Sequence, residues 1–367
     1  MKSVIPYRSL LMEMLAIPAI SREESRRADF LQQVMESNGM KVKRIHNNLL
    51  VGEHMEGDSR PILLMNSHID TVPPAEGWTT DPFVPGLSDG RITGLGSNDA
   101  GASVVSMIAA YHAQQPLLEE ELNLQILISS EEEVSGNRGI SAVLPELGPV
   151  NGVIVGEPTG MQPAVAERGL MVIDAEVTGK AGHAARAEGV NAIYLAMNDI
   201  ERISRIEFPR MSEWLPSPGA QVTMISAGSK HNVVPARCTY VVDVRSNDCY
   251  GNEEILEMLR ETCVADLTPR SIRLKPSRLE PDHFLMNAIS DAGLSPFGSS
   301  TLSDMALIPY PAVKMGPGDS ARSHTADEFI MVEELDQGVK GYMQFLETVA
   351  RVMKKQGSLT PGRSSMK

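Results

Sequence analysis

Four short, largely apolar runs, each followed directly by polar or acidic residues, constrain the fold of this 367-residue chain more than any other feature. These runs lie at 61–65, 122–128, 150–155 and 311–315. A small-residue helix is predicted between the first two runs, over 102–112. Strands that are buried on both faces have this composition, so the pattern predicts an α/β fold whose sheet is mostly parallel.

The middle third of the chain contains alternating segments, which are typical of strands with one buried face. Strands are predicted at 170–178, 221–226, 239–244 and 272–274, with helices at about 191–206 and 253–264. The resulting order, β-α-β-β-α-β, is that of a ferredoxin-like unit. We therefore predict an inserted domain over 166–277 inside a domain built from 1–165 and 278–355, with a disordered tail over 356–367.

Two helices are predicted within the first 40 residues. Ser21 and Glu24 match the spacing of a capping box and precede the apolar positions Leu31, Val34 and Met35. Ser21 is therefore expected to cap the second helix.

Composition excludes several classes of partner. The chain has 33 Lys and Arg against 47 Asp and Glu, and only 4% aromatic residues, which argues against binding to nucleic acid or to an anionic membrane. No window approaches 18 consecutive apolar residues, so no membrane span is predicted. The three cysteines include no CxxC pair, which favours a reduced cytoplasmic compartment and excludes a zinc–thiolate site.

Side chains that ligate metals collect where the predicted strands end, which is where open α/β sheets bind ligands. They are His68, Asp70, Asp99 in the glycine-rich turn 94–101, Glu131, Glu132, Glu133, Glu157 and His324. Three adjacent carboxylates repel one another, and a divalent cation removes that conflict. Two histidines with several carboxylates form a nitrogen and oxygen ligand set that suits Zn²⁺ or a similar transition ion.

The sequence predicts more specific roles for two of these residues, Asp70 and Asp99. The His-x-Asp spacing places His68 and Asp70 on one face of an extended segment, so Asp70 can hydrogen-bond the distal ring nitrogen of His68. Asp99 can bridge two metal ions about 3.5–4 Å apart, as two-metal hydrolases require.

The alternative to a metal-dependent hydrolase is a scaffold protein in which the acidic residues form a solvated surface run. A serine hydrolase is disfavoured because no Gly-x-Ser-x-Gly motif is present.

Eight ordered segments resemble one family, the di-zinc amidohydrolases that include acetylornithine deacetylase, succinyl-diaminopimelate desuccinylase, aminoacylase and carboxypeptidase G. The segments are SHIDTVPP (67–74), GLGSNDAG (94–101), SSEEEVSGNRG (129–139), VGEPTG (155–160), GKAGHA (179–184), HNVVPARC (231–238), DVR (243–245) and GPGDSARSHTADE (316–328). The similarity covers roughly residues 5 to 350. It implies a catalytic α/β domain with an inserted lid, through which two chains form a homodimer in the cytoplasm.

The resemblance also implies a metal site. His68, Asp99 and Glu157 would hold one zinc ion, and Asp99, Glu133 and His324 the other, so that Asp99 bridges them. Asp70 would orient His68. Glu132 maps onto the general base, although a slip of one residue would assign that role to Glu131.

Residues for the substrate follow from the same resemblance. His183 in the lid would stabilise the oxyanion, in its own subunit or in the neighbouring one. Asn232, Arg245 and Arg168 would contact the substrate carboxylate, and Ser303 lies in a turn expected near the substrate. Two departures leave the substrate open: Asp99 lacks the Lys of the family's Asp-x-Lys-Gly, and 184–187 reads Ala-Ala-Arg-Ala in place of Ser-Ser-x-Pro.

The function that the resemblance implies is metal-dependent hydrolysis of the amide bond of an N-acyl amino acid. N-acetylornithine deacetylation, in arginine biosynthesis, is the first expectation, with two Zn²⁺ per chain, or Co²⁺ or Mn²⁺ in their place. N-succinyl-diaminopimelate desuccinylation, acetylcitrulline deacetylation and aminoacylase or dipeptidase activity stay open. A metal-binding module without catalysis is the alternative from a different class.

Overall fold

The computed structural model of the chain describes residues 5–52, 57–186 and 188–359. It divides into two compact units. The first contains the chain up to Val165, Leu279–Phe297 and the chain from Ser303 onward. The second contains Ala166–Arg278 and Gly298–Leu302.

The helices and strands occur in mixed order along the chain. The α-helices are α1 (Tyr7–Leu15), α2 (Ser25–Ser37), α3 (Ala102–Leu118), α4 (Ile140–Val143), α5 (Ala192–Ser204), α6 (Asn252–Thr262), α7 (Phe284–Asp291) and α8 (Val332–Leu359). The strands are β1 (Val42–Ile45), β2 (Asn48–Val51), β3 (Ile62–His68), β4 (Gly86–Ser88), β5 (Arg91–Thr93), β6 (Asn123–Ser129), β7 (Val150–Val155), β8 (Ala164–Glu167), β9 (Gly169–Thr178), β10 (Gly182–His183), β11 (Gly219–Ala227), β12 (Val233–Val234), β13 (Arg237–Ser246), β14 (Asp266–Pro269), β15 (Ser277–Arg278), β16 (Phe297–Ser299), β17 (Ala312–Lys314) and β18 (Phe329–Met331).

The first unit is built on a sheet with the order β1-β2-β6-β3-β7-β17. Its central strands β6, β3, β7 and β17 are parallel to one another. At one edge, β2 pairs antiparallel with β6, and β1 pairs antiparallel with β2. Every residue of β3 and β6 is buried, because the sheet is covered on both faces. The predicted α/β fold with a mostly parallel sheet is therefore confirmed.

Apolar side chains on the sheet pack against the flanking helices. Leu64, Leu127 and Val153 pack with Ile140 and Val143 of α4. The long helix α3 packs against β3 and β6 and also against α8. Burial of this apolar area holds the central strands in place and thereby fixes where each strand ends.

The start of α2 differs from the prediction. The helix begins at Ser25, so the expectation that Ser21 caps it is wrong. The Ser21 hydroxyl instead donates to Asp70 Oδ2 at 2.7 Å, and the Glu24 side chain is fully buried. Both side chains of the apparent capping box therefore form hydrogen bonds to distant parts of the chain, Ser21 to Asp70 and Glu24 to the N–H of Glu131, and Ser21 does not cap the helix.

The second unit has a four-stranded antiparallel sheet with the order β11-β13-β9-β14. Together with α5 and α6, these strands follow in the chain order β-α-β-β-α-β, which confirms the predicted ferredoxin-like pattern. The last strand was expected at 272–274, but it lies at Asp266–Pro269. The physical reason is that Leu267 is buried in the core of this unit, whereas Ile272 is 38% exposed.

The C-terminal helix α8 continues to Leu359. It therefore covers the first part of the tail predicted over 356–367, and residues 360–367 lie outside the described part of the chain. Across the described ranges, every helix is too short or too polar to cross a lipid bilayer.

The buried Asp199 on α5 generates a stability prediction for the second unit. Its carboxylate accepts the N–H groups of Val264 and Ala265, each at 3.0 Å, and the hydroxyl of Tyr240 at 3.2 Å. Asp199→Ala leaves these buried donors without an acceptor, so we expect the free energy of unfolding to fall by ~2–4 kcal/mol. Denaturant unfolding followed by circular dichroism measures the loss.

The matched control is Asp174→Ala, because Asp174 forms an ion pair with Arg270 on the surface of the same unit. Exposed ion pairs contribute little, so this variant should unfold almost like the wild type. Equal losses in the two variants would contradict a structural role for the Asp199 hydrogen bonds.

Candidate metal centre

Three neighbouring parallel strands end at the same edge of the central sheet. His68 is the last residue of β3, Glu131–Glu133 follow β6 after one serine, and Glu157 follows β7 after one glycine. Because β3 lies between β6 and β7, these side chains meet beyond the carboxyl ends of the strands. Two further segments reach this edge, a turn at Ser97–Gly101 with Asp99 and the loop after β17 with His324.

The first group of candidate ligands surrounds His68, whose side chain is buried. Its Nε2 lies 3.3 Å from Asp99 Oδ1 and 3.6 Å from Glu157 Oε1. Glu132 Oε2 is slightly farther away, at 3.9 Å. His68, Asp99 and Glu157 can therefore offer one nitrogen and two oxygen atoms to a single ion.

The second group surrounds His324. Its Nε2 lies 3.0 Å from Glu133 Oε2 and 3.6 Å from Asp99 Oδ2. Asp99 thus turns one oxygen towards each histidine, the arrangement of a carboxylate that bridges two ions.

The donor set fits divalent cations. Within each group the candidate ligand atoms lie within 4.8 Å of one another, and all are imidazole nitrogens or carboxylate oxygens. Among the described residues, the buried Nε2 of His68 makes no hydrogen bond although carboxylates surround it. A buried nitrogen of this kind needs a partner, and a cation at this position supplies one.

Electrostatics of the centre point the same way. Burial raises the pKa of Glu132 and of Glu157 well above the usual range, and the charge of His68 opposes this shift in both. Burial alone would lower the pKa of His68, but the surrounding carboxylates, first Glu132, raise it well above its usual value. The hydrogen bond to Glu133 raises the pKa of His324 to about 9. The cluster therefore stabilises positive charge at its centre.

The Asp70 carboxylate holds the turn that carries the adjacent glutamates. Its Oδ1 accepts the N–H of Glu132 at 3.0 Å, and its Oδ2 accepts the N–H of Glu133 at 3.1 Å. Its distance to His68 Nδ1 is longer, 3.5 Å, while the backbone carbonyl of Asp70 lies 3.1 Å from the same nitrogen. Asp70 therefore supports His68 mainly through its backbone and the glutamate turn through its side chain.

Glu131 and Glu132 have different surroundings although they are neighbours in sequence. Glu131 has a left-handed backbone with φ of 54°, and its Oε2 accepts the N–H of Arg138 at 3.3 Å. A Cβ atom at Gly136 would lie 2.5 Å from the Cβ of Glu131, so any larger residue at position 136 would displace Glu131. Glu132, in contrast, belongs to one of the candidate ligand groups with His68 and Glu133.

Sequence reasoning missed the buried Glu328. Its carboxylate accepts the N–H groups of Gly96, Asn98 and Asp99, and burial raises its pKa to about 7. No sequence signal pointed to this role, because Glu328 follows His324 by four residues without forming a ligand pattern.

A second missed residue is Arg27, which is almost fully buried. Its guanidinium donates to the carbonyls of Ile17 and Ile69, the latter at 2.8 Å and directly after His68 in the chain. Burial lowers the pKa of Arg27 to about 10, and the charges of Asp70, Glu328 and Glu24 oppose the shift. The positive charge of Arg27 therefore interacts with the carboxylates of Asp70, Glu328 and Glu24.

Four of the predicted substrate residues lie in the second unit: His183, Asn232, Arg168 and Arg245. The exposed His183 on β10 lies opposite Val233, and the N–H of Ala184 donates to the carbonyl of Asn232 at 3.1 Å. Arg168 Nη2 donates to the carbonyl of Arg245 at 3.0 Å. The Arg245 side chain itself forms a two-point ion pair with Asp243.

Ser303, the remaining predicted substrate residue, is buried in the first unit. Its hydroxyl accepts the N–H of Met305 at 3.3 Å and so caps the short turn Asp304–Ala306. The neighbouring Asp304 accepts the Ser129 hydroxyl at 2.7 Å, and burial raises its pKa to about 6. Ser303 thus orders the polypeptide beside the end of β6.

This chain is similar in sequence to curated relatives over most of their length and of its own. Acetylornithine deacetylase of Myxococcus xanthus is 27% identical, over 91% of this chain and 95% of its own. N-acetyl-L-citrulline deacetylase of Xanthomonas campestris pv. campestris is also 27% identical, over 80% and 81%. Succinyl-diaminopimelate desuccinylase of Delftia acidovorans is 26% identical, over 93% and 97%.

Solved structures share the fold. Aminopeptidase PepT from Bacillus cereus superposes with a TM-score of 0.74 at 21% identity, over 94% of this chain and 98% of its own. The YXEP protein of Bacillus subtilis, a dinuclear metal-binding peptidase, has a TM-score of 0.69 at 16% identity, over 95% and 99%. The family model described as Peptidase family M20/M25/M40 matches residues 64–348. The chain therefore belongs to peptidase family M20/M25/M40 and is a metal-dependent amidohydrolase.

Proposed function

We propose that this chain hydrolyses the amide bond of an N-acyl amino acid at a pair of divalent ions. The observation that carries the proposal is the position of Asp99, with one oxygen 3.3 Å from His68 and the other 3.6 Å from His324. Glu157 completes the first site and Glu133 the second. The dinuclear metal binding of the YXEP protein, which has the same fold, supports a pair rather than a single ion.

The ligand chemistry favours Zn²⁺, with Co²⁺ or Mn²⁺ as alternatives, because the donors are histidine and carboxylate without cysteine. When bound there, the ions polarise the acyl carbonyl and lower the pKa of a water molecule towards ~7.

Glu132 is the proposed general base. Its carboxylate lies beside the centre, and Asp70 holds its backbone N–H, so the side chain starts from a fixed position. It takes the proton from the attacking water and returns it to the leaving amine, which is the exchange that amide hydrolysis requires. The Glu131 carboxylate accepts the N–H of Arg138 at 3.3 Å, which supports Glu132 rather than Glu131 for this role.

The second unit supplies the proposed substrate contacts. His183 has an exposed imidazole that can stabilise the oxyanion formed from the acyl carbonyl. Arg168, Arg245, Asn232 and Ser303 are the residues we propose for the substrate carboxylate, as the family resemblance implies. We further propose that the chain works in the cytoplasm as a homodimer formed through this unit.

N-acetylornithine is the substrate we propose first. The acetylornithine deacetylase of Myxococcus xanthus supports it, because its identity of 27% extends over 91% of the chain. The relatives that act on acetylcitrulline and succinyl-diaminopimelate have nearly the same identity, so both compounds remain candidates.

Exchange of the two adjacent glutamates tests the general base. Glu132→Gln should lower kcat by ~10²–10⁴-fold, because an amide cannot accept the proton, while two metal ions per chain stay bound. Glu131→Gln is the matched control and should retain most of the wild-type kcat. Steady-state amine release and elemental analysis of the metal content measure both effects. If kcat fell more in Glu131→Gln than in Glu132→Gln, the assignment of Glu132 as the general base would be wrong.

Metal removal and a substrate panel test the reaction itself. The zinc-loaded protein is assayed on N-acetylornithine, N-acetylcitrulline, N-succinyl-diaminopimelate, N-acetylmethionine and a dipeptide. We expect the fastest amine release from N-acetylornithine, its complete loss with a chelator, and recovery with added Zn²⁺. No turnover of any compound with two ions bound would overturn the substrate assignment, and a protein without bound metal would overturn the metal site.

A further inference from the structure

Glu328 lies behind the metal centre, and none of the groups of candidate ligands includes it. We propose that it is a positioning residue, which holds the two oxygens of Asp99 in line with both metal positions. The inference rests on the proposed two-metal function and adds a residue that sets the geometry of the pair.

The contacts of Glu328 converge on one turn. Its Oε1 accepts the N–H of Asn98 at 2.8 Å and the N–H of Asp99 at 2.9 Å, and its Oε2 accepts the N–H of Gly96 at 3.0 Å. The side chain is only 2% exposed, so water does not compete for these donors. A single carboxylate therefore satisfies three backbone donors around the bridging residue.

The turn needs such an external acceptor because its backbone is irregular. Asp99 and Ala100 have non-helical torsion angles within Ser97–Gly101, with φ of −118° and ψ of 96° at Asp99. Regular intrahelical hydrogen bonds therefore cannot orient the Asp99 side chain. The orientation depends on the Glu328 carboxylate that receives the N–H groups.

Glu328 also connects the Asp99 turn to the His324 segment. Its carbonyl accepts the N–H of Gly94 at 3.0 Å, and the next residue, Phe329, begins the strand β18 that pairs with β5. On the other side of His324, the N–H of Asp319 donates to Asn98 Oδ1 at 3.0 Å. The segment with His324 is thus attached to the Asp99 turn at both ends, which fixes the separation of two ligands of the same ion.

The experiment compares zinc binding in three variants. Glu328→Ala removes all three acceptor contacts. Glu328→Gln keeps Oε1 for Asn98 and Asp99, replaces only the oxygen that serves Gly96, and removes the charge. Asp199→Ala is the matched control, because it also removes a buried carboxylate that accepts backbone N–H groups, but from the second unit. Zn²⁺ is titrated into metal-free protein by calorimetry, and Co²⁺ absorption spectra report the ligand geometry.

A positioning role predicts a graded result. Zn²⁺ affinity should fall ~10- to 100-fold in Glu328→Ala, with an altered Co²⁺ spectrum, and only several-fold in Glu328→Gln. Asp199→Ala should lower the unfolding midpoint while its Zn²⁺ affinity and Co²⁺ spectrum stay at the wild-type values.

Two results would overturn the inference. An equal loss in Glu328→Ala and Glu328→Gln would mean that charge, and not hydrogen bonding, is what the site needs. Wild-type affinity and spectrum in Glu328→Ala would remove the role altogether, and where Glu328→Ala does not fold, a ~10- to 100-fold loss of Zn²⁺ affinity in Glu328→Gln would overturn the inference instead. A wild-type protein that binds the zinc pair but hydrolyses nothing in the panel contradicts the proposed substrate alone, because the Glu328 result depends only on metal binding.

Discussion

Backbone N–H groups bonded to buried carboxylates are the interaction on which the metal centre depends. Asp70 holds the N–H groups of Glu132 and Glu133, and Glu328 holds those around Asp99. Glu24 accepts the N–H of Glu131. Burying carboxylates in this number is costly unless donors and a compensating charge surround them, and the buried Arg27 supplies that charge. The turns that carry the proposed ligands and base are therefore held by side chains that belong to none of the candidate ligand groups.

The positions of the candidate ligands could be predicted because parallel strands end at a common edge. His68 and Glu157 follow apolar runs in the sequence, and in the structure these runs are adjacent buried strands. The supporting carboxylates could not be predicted in the same way. Ser21 and Glu24 have the spacing of a helix cap, yet one bonds Asp70 and the other bonds the N–H of Glu131. Glu328 acts on donors about 230 residues away, which local patterns cannot indicate.

The choice between Glu131 and Glu132 illustrates where sequence patterns reach their limit. Three identical side chains follow β6, and their chemistry is the same until the backbone assigns each a direction. The left-handed conformation of Glu131 directs its carboxylate to the N–H of Arg138, and Glu132 is the next residue along the turn. The two adjacent glutamates therefore differ in backbone conformation and in hydrogen-bond partner, and no composition or spacing rule contains that difference.

The candidate ligands are also far apart in the chain. His68, Asp99, Glu133 and Glu157 precede the inserted second unit, whereas His324 follows it. Synthesis on the ribosome proceeds from the N-terminus, so the insertion has been made in full before the last histidine exists. Of the two proposed metal sites, the one that needs His324 can therefore be completed only in a chain that already carries its insertion, whereas His68, Asp99 and Glu157 are all made before it.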